Sequence, residues 1–118
     1  MRNLDTFTEH YLNCALWSST DDDSLPLDDN YGIEDMSEQT INQAIEDCKD
    51  FRVLAAKELA ESKQSDEQNS HDFWLTRNGH GTGFWDRGLG EVGRKLTDLA
   101  KTYGSCDLYV TDGEIYCS

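Results

Sequence analysis

The stretch His71 to Arg87, HDFWLTRNGHGTGFWDR, decides how the rest of the chain is read. It holds two of the three Trp, two of the three His and three of the nine Gly, so it is a built surface, either an internal knot or a binding face. Gly79, Gly81 and Gly83 argue against a helix through its middle, since each glycine costs about 1 kcal/mol there. Asn78-Gly79 is a turn signal. Phe73 to Arg77 then reads as a short strand or one helical turn. Phe73 and at least one Trp are expected in the core, with His80 on an exposed, glycine-flanked turn closed by an Arg77–Asp86 pair.

Three roles fit this segment. Phe73, Trp74, Phe84 and Trp85 can be core anchors, because aromatic side chains are first of all hydrophobic bulk. Trp74, Arg77, His80 and Trp85 can instead form a protein-binding face, Trp and Arg being the types enriched at interface hot spots. The third role is a small-ligand or catalytic site built from His71, Asp72, Arg77, His80, Asp86 and Arg87, since His with Asp can perform acid–base chemistry. Only Thr76 and Thr82 lie nearby as nucleophiles, and Thr needs an activating base. The run G-H-G-T-G matches neither a Walker loop nor a dinucleotide fingerprint.

Outward from the motif the signals are more regular. Leu4, Phe7, Tyr11 and Cys14 share a helical stripe, giving a first helix from about Leu4 to Trp17. Thr6 with Glu9 fits a capping box, which could start it a turn later. Ser18 to Met36 holds the only Pro, and between Asp21 and Glu38 lie eight acidic residues with no Lys or Arg, the pattern of a loop. Leu25, Leu27, Tyr31 and Ile33 are its expected anchors. Ser37 is a good N-cap for a long second helix, Glu38 to Ser62, burying Ile41, Ala44, Ile45, Cys48, Phe51, Ala55 and Leu59. Arg52 intrudes on that stripe and is expected to snorkel. Lys63 to Ser70, KQSDEQNS, reads as a flexible connection.

A last helix is expected from about Gly90 to Tyr103, on the stripe Leu89, Val92, Leu96, Leu99 and Tyr103, with Gly104 at C′. Residues Cys106 to Val110 and Glu114 to Cys117 flank Asp112-Gly113, a type I′ hairpin dipeptide. That register pairs Val110 with Ile115 and Leu108 with Cys117 on one face, and Tyr109 with Tyr116 on the other. The expected fold is a single α+β domain over residues 1–118, with about three helices packed on a small antiparallel sheet that includes this hairpin.

Charge narrows the partner. The formal net charge is −14, and residues 1–50 carry −11 of it. Like charge repels phosphate, so direct nucleic-acid binding through the front half is disfavoured. An acidic surface suits a basic partner protein; the alternative is solubility alone. The acidic loop matches no EF-hand: Asp28-x-Asn30 lacks the Gly and terminal Glu. Cys14, Cys48, Cys106 and Cys117 form no C-x-x-C pair and the His residues are not spaced for zinc, so no metal or cofactor is assigned. The start, MRNLDTFTEH, lacks the apolar run of a signal peptide, and no stretch approaches the roughly 20 apolar residues of a membrane span. A cytoplasmic protein with four free thiols is therefore expected, although Cys106 and Cys117 lie diagonally on one hairpin face.

The motif HDFWLTRNGHGTGFWDRG, with ALWSST and an acidic DDD…PLDDNY loop upstream and YGSCDLYVTDGEIY at the end, resembles a widespread family of small acidic proteins encoded in bacteriophage and prophage genomes. The resemblance spans about Tyr11 to Tyr116. It implies a phage-type origin and expression in a host bacterial cytoplasm, and it carries no catalytic residue. The leading expectation is an acidic accessory protein that binds a host protein, as a DNA mimic or an inhibitor of a nucleic-acid-handling enzyme. Asp21, Asp22, Asp23, Asp28, Asp29, Glu34 and Asp35 would supply phosphate-like charge. Trp74, Arg77, His80 and Trp85 would supply specificity if exposed. The competing expectations are the ligand or catalytic site above and a self-associating assembly protein.

Overall fold

In the computed structural model, which describes residues 4–20, 25–79 and 83–117, the chain is α+β, with five helices and a C-terminal two-stranded antiparallel sheet. Helix α1 runs Thr6–Ser18, α2 Glu38–Leu54, α3 Ala56–Ser62, α4 Asp66–Arg77 and α5 Glu91–Lys101; strands β1 and β2 are Leu108–Thr111 and Glu114–Cys117. Five helices stand where about three were expected.

The expected single helix Glu38 to Ser62 breaks at Ala55, whose ψ of 18° leaves the α-helical region. Its N–H still bonds to the Phe51 carbonyl at 2.8 Å, so the chain bends without losing that donor. The bend turns α3 onto α5. Ser37 caps α2 as expected, accepting from the Thr40 N–H at 3.1 Å. Helix α1 is capped by Asp5, which accepts from the Thr8 N–H. Arg52 keeps its head at the surface, 2.6 Å from Asp5, while its guanidinium lies over the Phe7 ring.

Helix α4 is the larger correction. The polar connection KQSDEQNS and the short strand expected at Phe73 to Arg77 are mostly one helix. Ser65 accepts from the Gln68 N–H at 3.1 Å, and Asp66 and Glu67 place negative charge in the first turn, where the helix dipole favours it. From Asn69 onward only His71 is not fully buried. A helix enclosed on all sides has no apolar stripe, so periodicity does not reveal it. The Ser-x-x-Gln capping pattern at Ser65 and Gln68 was the one local signal. The glycine argument holds, since α4 stops at Arg77 and Gly79 follows with φ of 71°.

Helices α1 and α4 pack along one another to make the centre of the core. Phe73 of α4 stacks on Phe51 of α2 with ring centroids 4.1 Å apart, and Tyr11 of α1 meets both Phe73 and Trp74. Trp74 is 3% exposed and donates its indole N–H to Ser18 Oγ at 2.8 Å; Trp85 is 55% exposed. The motif therefore contributes Phe73, Trp74 and Phe84 to the core, and not Trp85.

The hairpin forms with the expected register, turning through Asp112 and Gly113 at φ of 54° and 78°. Ile115 is fully buried, and its carbonyl accepts from the Ser37 N–H at 2.8 Å, which docks the sheet on the start of α2. Cys106 and Cys117 are joined by a disulfide across the diagonal, with Cα atoms 5.8 Å apart. The expectation of four free thiols holds only for the buried pair, Cys14 and Cys48. Among the described residues no helix is long and apolar enough to cross a membrane.

Two tryptophan substitutions should separate sharply. Trp74→Ala is expected to cost about 3–5 kcal/mol, the usual range for a buried aromatic. Trp85→Ala should cost within about 0.5 kcal/mol, as for ordinary surface changes. Urea melts of the two variants measure this; equal losses would show that Trp85 is covered in solution.

Candidate functional site

Most of the described polar side chains of the motif are engaged within the fold. Asp72 is fully buried and accepts from the Arg87 guanidinium at 2.9 and 3.1 Å, from Gln64 at 3.1 Å and from Gln68 at 3.0 Å. Thr76 Oγ1 accepts from the Phe84 N–H at 3.1 Å. Gly83 permits this approach, because a Cβ there would strike that hydroxyl and its φ of 147° disfavours any side chain. Asn78 Oδ1 accepts from the Cys106 N–H at 2.7 Å, which ties the end of α4 to the start of the hairpin.

Arg77 is the most heavily engaged. It donates to Asp47 at 2.9 Å, to the Tyr11 hydroxyl at 3.0 Å, and to the carbonyls of Gly104 at 2.9 Å and Tyr103 at 3.0 Å. It therefore fastens α4 to α2, to α1 and to the end of α5. The expected Arg77–Asp86 pair does not form: Arg77 pairs with Asp47, and Arg87 with Asp72. Burial pushes the Tyr11 phenol above its ordinary range, so it stays a neutral partner of the guanidinium. Burial also pushes the Cys14 thiol up to about 12, which leaves it a core side chain and not a nucleophile.

Of the six groups considered for a catalytic site, Asp72 pairs with Arg87 while Arg77 belongs to a separate network with Asp47, Asp86 is exposed, and the half-buried His71 feels the charges of Asp72 and Arg87. His80 lies outside the described residues. Neither Trp74 nor Arg77 is an exposed specificity residue; Trp85 is the one described member of that set on the surface.

Of the acidic set, Asp21, Asp22 and Asp23 lie outside the described residues. Asp28, Asp29 and Glu34 are exposed and Asp35 is half-buried. They sit on two short 3-10 turns, Leu27–Asp29 and Ile33–Asp35. The first is fixed by the fully inserted Leu27, whose N–H bonds to the Ser19 carbonyl at 2.9 Å. The second is closed by Asp35, which accepts from the Gly32 N–H at 2.9 Å. Tyr31 and Ile33 also pack on the core, whereas the expected anchor Leu25 is 45% exposed.

A cluster that spacing does not reveal forms where α1 meets α4. One ligand atom from each of His10, Glu67 and His71 lies within 4.8 Å of the others. The His71 ring stands edge-on to His10 at 6.1 Å and to Trp17 at 5.9 Å. Partial burial lowers the His71 pKa, which favours the neutral imidazole. Glu67 and His71 are four residues apart, a helical neighbour relation that becomes legible only once α4 is recognised as a helix. His10 reaches them by tertiary packing alone.

Comparison with protein-family models, with characterised proteins and with solved structures finds no match.

The structural role of Arg77 is measurable. Arg77→Met should cost about 3–5 kcal/mol, because it leaves the largely buried Asp47 and two carbonyls without their partner. The half-exposed Arg52–Asp5 pair offers the contrast: Arg52→Met should cost about 1 kcal/mol. Urea denaturation of both variants checks the difference, and a small loss at Arg77 would return that residue to the candidates for binding.

Proposed function

We propose that this chain is an acidic binding protein that docks on a basic surface of a partner protein, in the manner of a nucleic-acid mimic. The observation that supports it is the fixed acidic face at 25–36. Asp28, Asp29 and Glu34 project to solvent from two short turns held by Leu27, Ile33 and Asp35. Carboxylates presented on an anchored backbone lose less freedom on binding than those on a loose tail.

The charge bookkeeping points the same way. Each of the four described arginines is tied to a carboxylate of its own chain: Arg52 to Asp5, Arg77 to Asp47, Arg87 to Asp72 and Arg94 to Glu91. Two of these links, those of Arg77 and Arg87, draw on buried or nearly buried acids, so those two cations serve the interior. The acidic surplus remains at the surface and disfavours phosphate as a direct ligand. A phage-type origin and action in a bacterial cytoplasm belong to this same reading and rest on the sequence resemblance, whereas a nucleic-acid-handling host enzyme as partner rests on the acidic charge. Exposed Trp85, beside the exposed Asp86, is an aromatic of the type enriched at interface hot spots, on the segment that packs against α4 and α5.

Rim charges act mainly on association rate and salt dependence. Binding of the partner should therefore weaken steeply as salt rises. The combined variant Asp28→Asn, Asp29→Asn, Glu34→Gln should keep the thermal melt of the parent chain while its association rate falls roughly tenfold. Surface plasmon resonance at two ionic strengths reads both. An affinity indifferent to salt, or a variant that associates as fast as its parent, would refute charge mimicry.

A further inference from the structure

We propose that His10, Glu67 and His71 form a binding site for a divalent transition-metal ion of the zinc class, with water completing the coordination. This site is independent of the acidic docking face. Its ligands come from two helices whose relative position is set by the core. His10 stands on α1, and Glu67 and His71 stand one turn apart on α4, so both project to the same side of that helix.

The distances suit an ion. His10 Nδ1 is 3.8 Å from a Glu67 carboxylate oxygen, and the three ligand atoms fall within 4.8 Å of one another. Around zinc bound at about 2.0–2.1 Å, tetrahedral neighbours stand about 3.4 Å apart. The remaining closure falls to rotation of the three side chains, of which Glu67 is 58% and His10 30% exposed. His71 is followed by the fully buried Asp72, and its carbonyl accepts a weak bond from the Cys14 thiol of α1 at 3.8 Å.

The donor set selects the ion class. Two imidazoles and one carboxylate match zinc and its neighbours, whereas magnesium and calcium require oxygen ligands. Among the described residues no hydrogen bond occupies either imidazole, in contrast to Asp72, Trp74, Thr76, Arg77 and Asn78 of the same segment, each of which has a partner. Within residues 71–78, His71 is the polar side chain with no hydrogen bond, its ring meeting only His10 and Trp17 edge-on. Three protein ligands with an open side leave room for a water or for an exchangeable ligand from another molecule. Exposed Trp17, edge-on to His71, lies close enough to report occupancy.

The test uses the untagged full chain and zinc ion alone, titrated calorimetrically at about 0.15 M salt to screen loose condensation on the acidic surface. One equivalent should bind, with excess magnesium failing to compete. Cobalt ion should show visible absorption bands at the same stoichiometry, and copper ion should quench part of the tryptophan fluorescence in a Trp85→Phe background, where Trp17 stands beside the site and Trp74 is buried. His71→Gln and His10→Gln should each weaken zinc by roughly tenfold or more, since loss of even an outer-shell partner commonly costs about 10–100-fold. Glu67→Gln, at an exposed position, should keep the metal-free melt of the parent and lose most of the zinc-induced rise in Tm. The proposal is overturned if the parent chain binds no zinc, or if Glu67→Gln and His71→Gln bind it as the parent does.

Discussion

The Arg77 guanidinium is the constraint on which this structure depends. A charge largely enclosed at the edge of a small core is costly unless its donors are satisfied and an opposite charge lies close. Here Asp47 supplies the charge, Tyr11 a neutral acceptor, and the end of α5 two carbonyls. The rings of Phe73 and Tyr103 each lie 5.8 Å from the guanidinium carbon. Those partners come from α1, α2, α4 and the residues after α5. A shift of any of them would cost Arg77 a partner, and among the described residues no buried side-chain nitrogen or oxygen lacks a hydrogen bond.

This arrangement explains why an aromatic, glycine-rich, charged motif is mostly interior. Aromatic rings provide area, and the polar groups among them orient neighbours: Asp72 fixes the segment at Arg87, Thr76 fixes Phe84, and Asn78 fixes the hairpin. Residues that look catalytic by type are here the directional contacts of a core made of short elements. What the fold leaves over is more informative about function. The carboxylates of Asp28, Asp29 and Glu34, exposed Trp85 and the His10–Glu67–His71 cluster are not drawn into the core.

The same logic reconciles a net charge of −14 with a folded chain. Self-repulsion weakens the compact state of so acidic a protein. Pairing the described arginines internally recovers part of that loss where the dielectric is low, and Arg77 and Arg87 do so at interior acids. The C-terminal hairpin gains a covalent tie from Cys106–Cys117 and a buried contact from Ile115, without which two strands would be marginal.

The sequence by itself determined whatever rests on neighbours in the chain. Helices α1, α2 and α5, the Ser37 cap, the Asp112-Gly113 turn and every pairing of the hairpin follow from capping groups, apolar period and turn chemistry within a few residues of each other. Tertiary structure alone decided the rest. Helix α4 carries no amphipathic stripe because neighbours enclose it. The bend at Ala55 serves packing of α3 on α5, and the choice of Asp47 over Asp86 as partner of Arg77 is a matter of which acid the assembled helices place nearby. His10 and His71 meet for the same reason. Their separation of 61 positions contains no code for contact; only the packing of α1 on α4 brings the two imidazoles and Glu67 to one place.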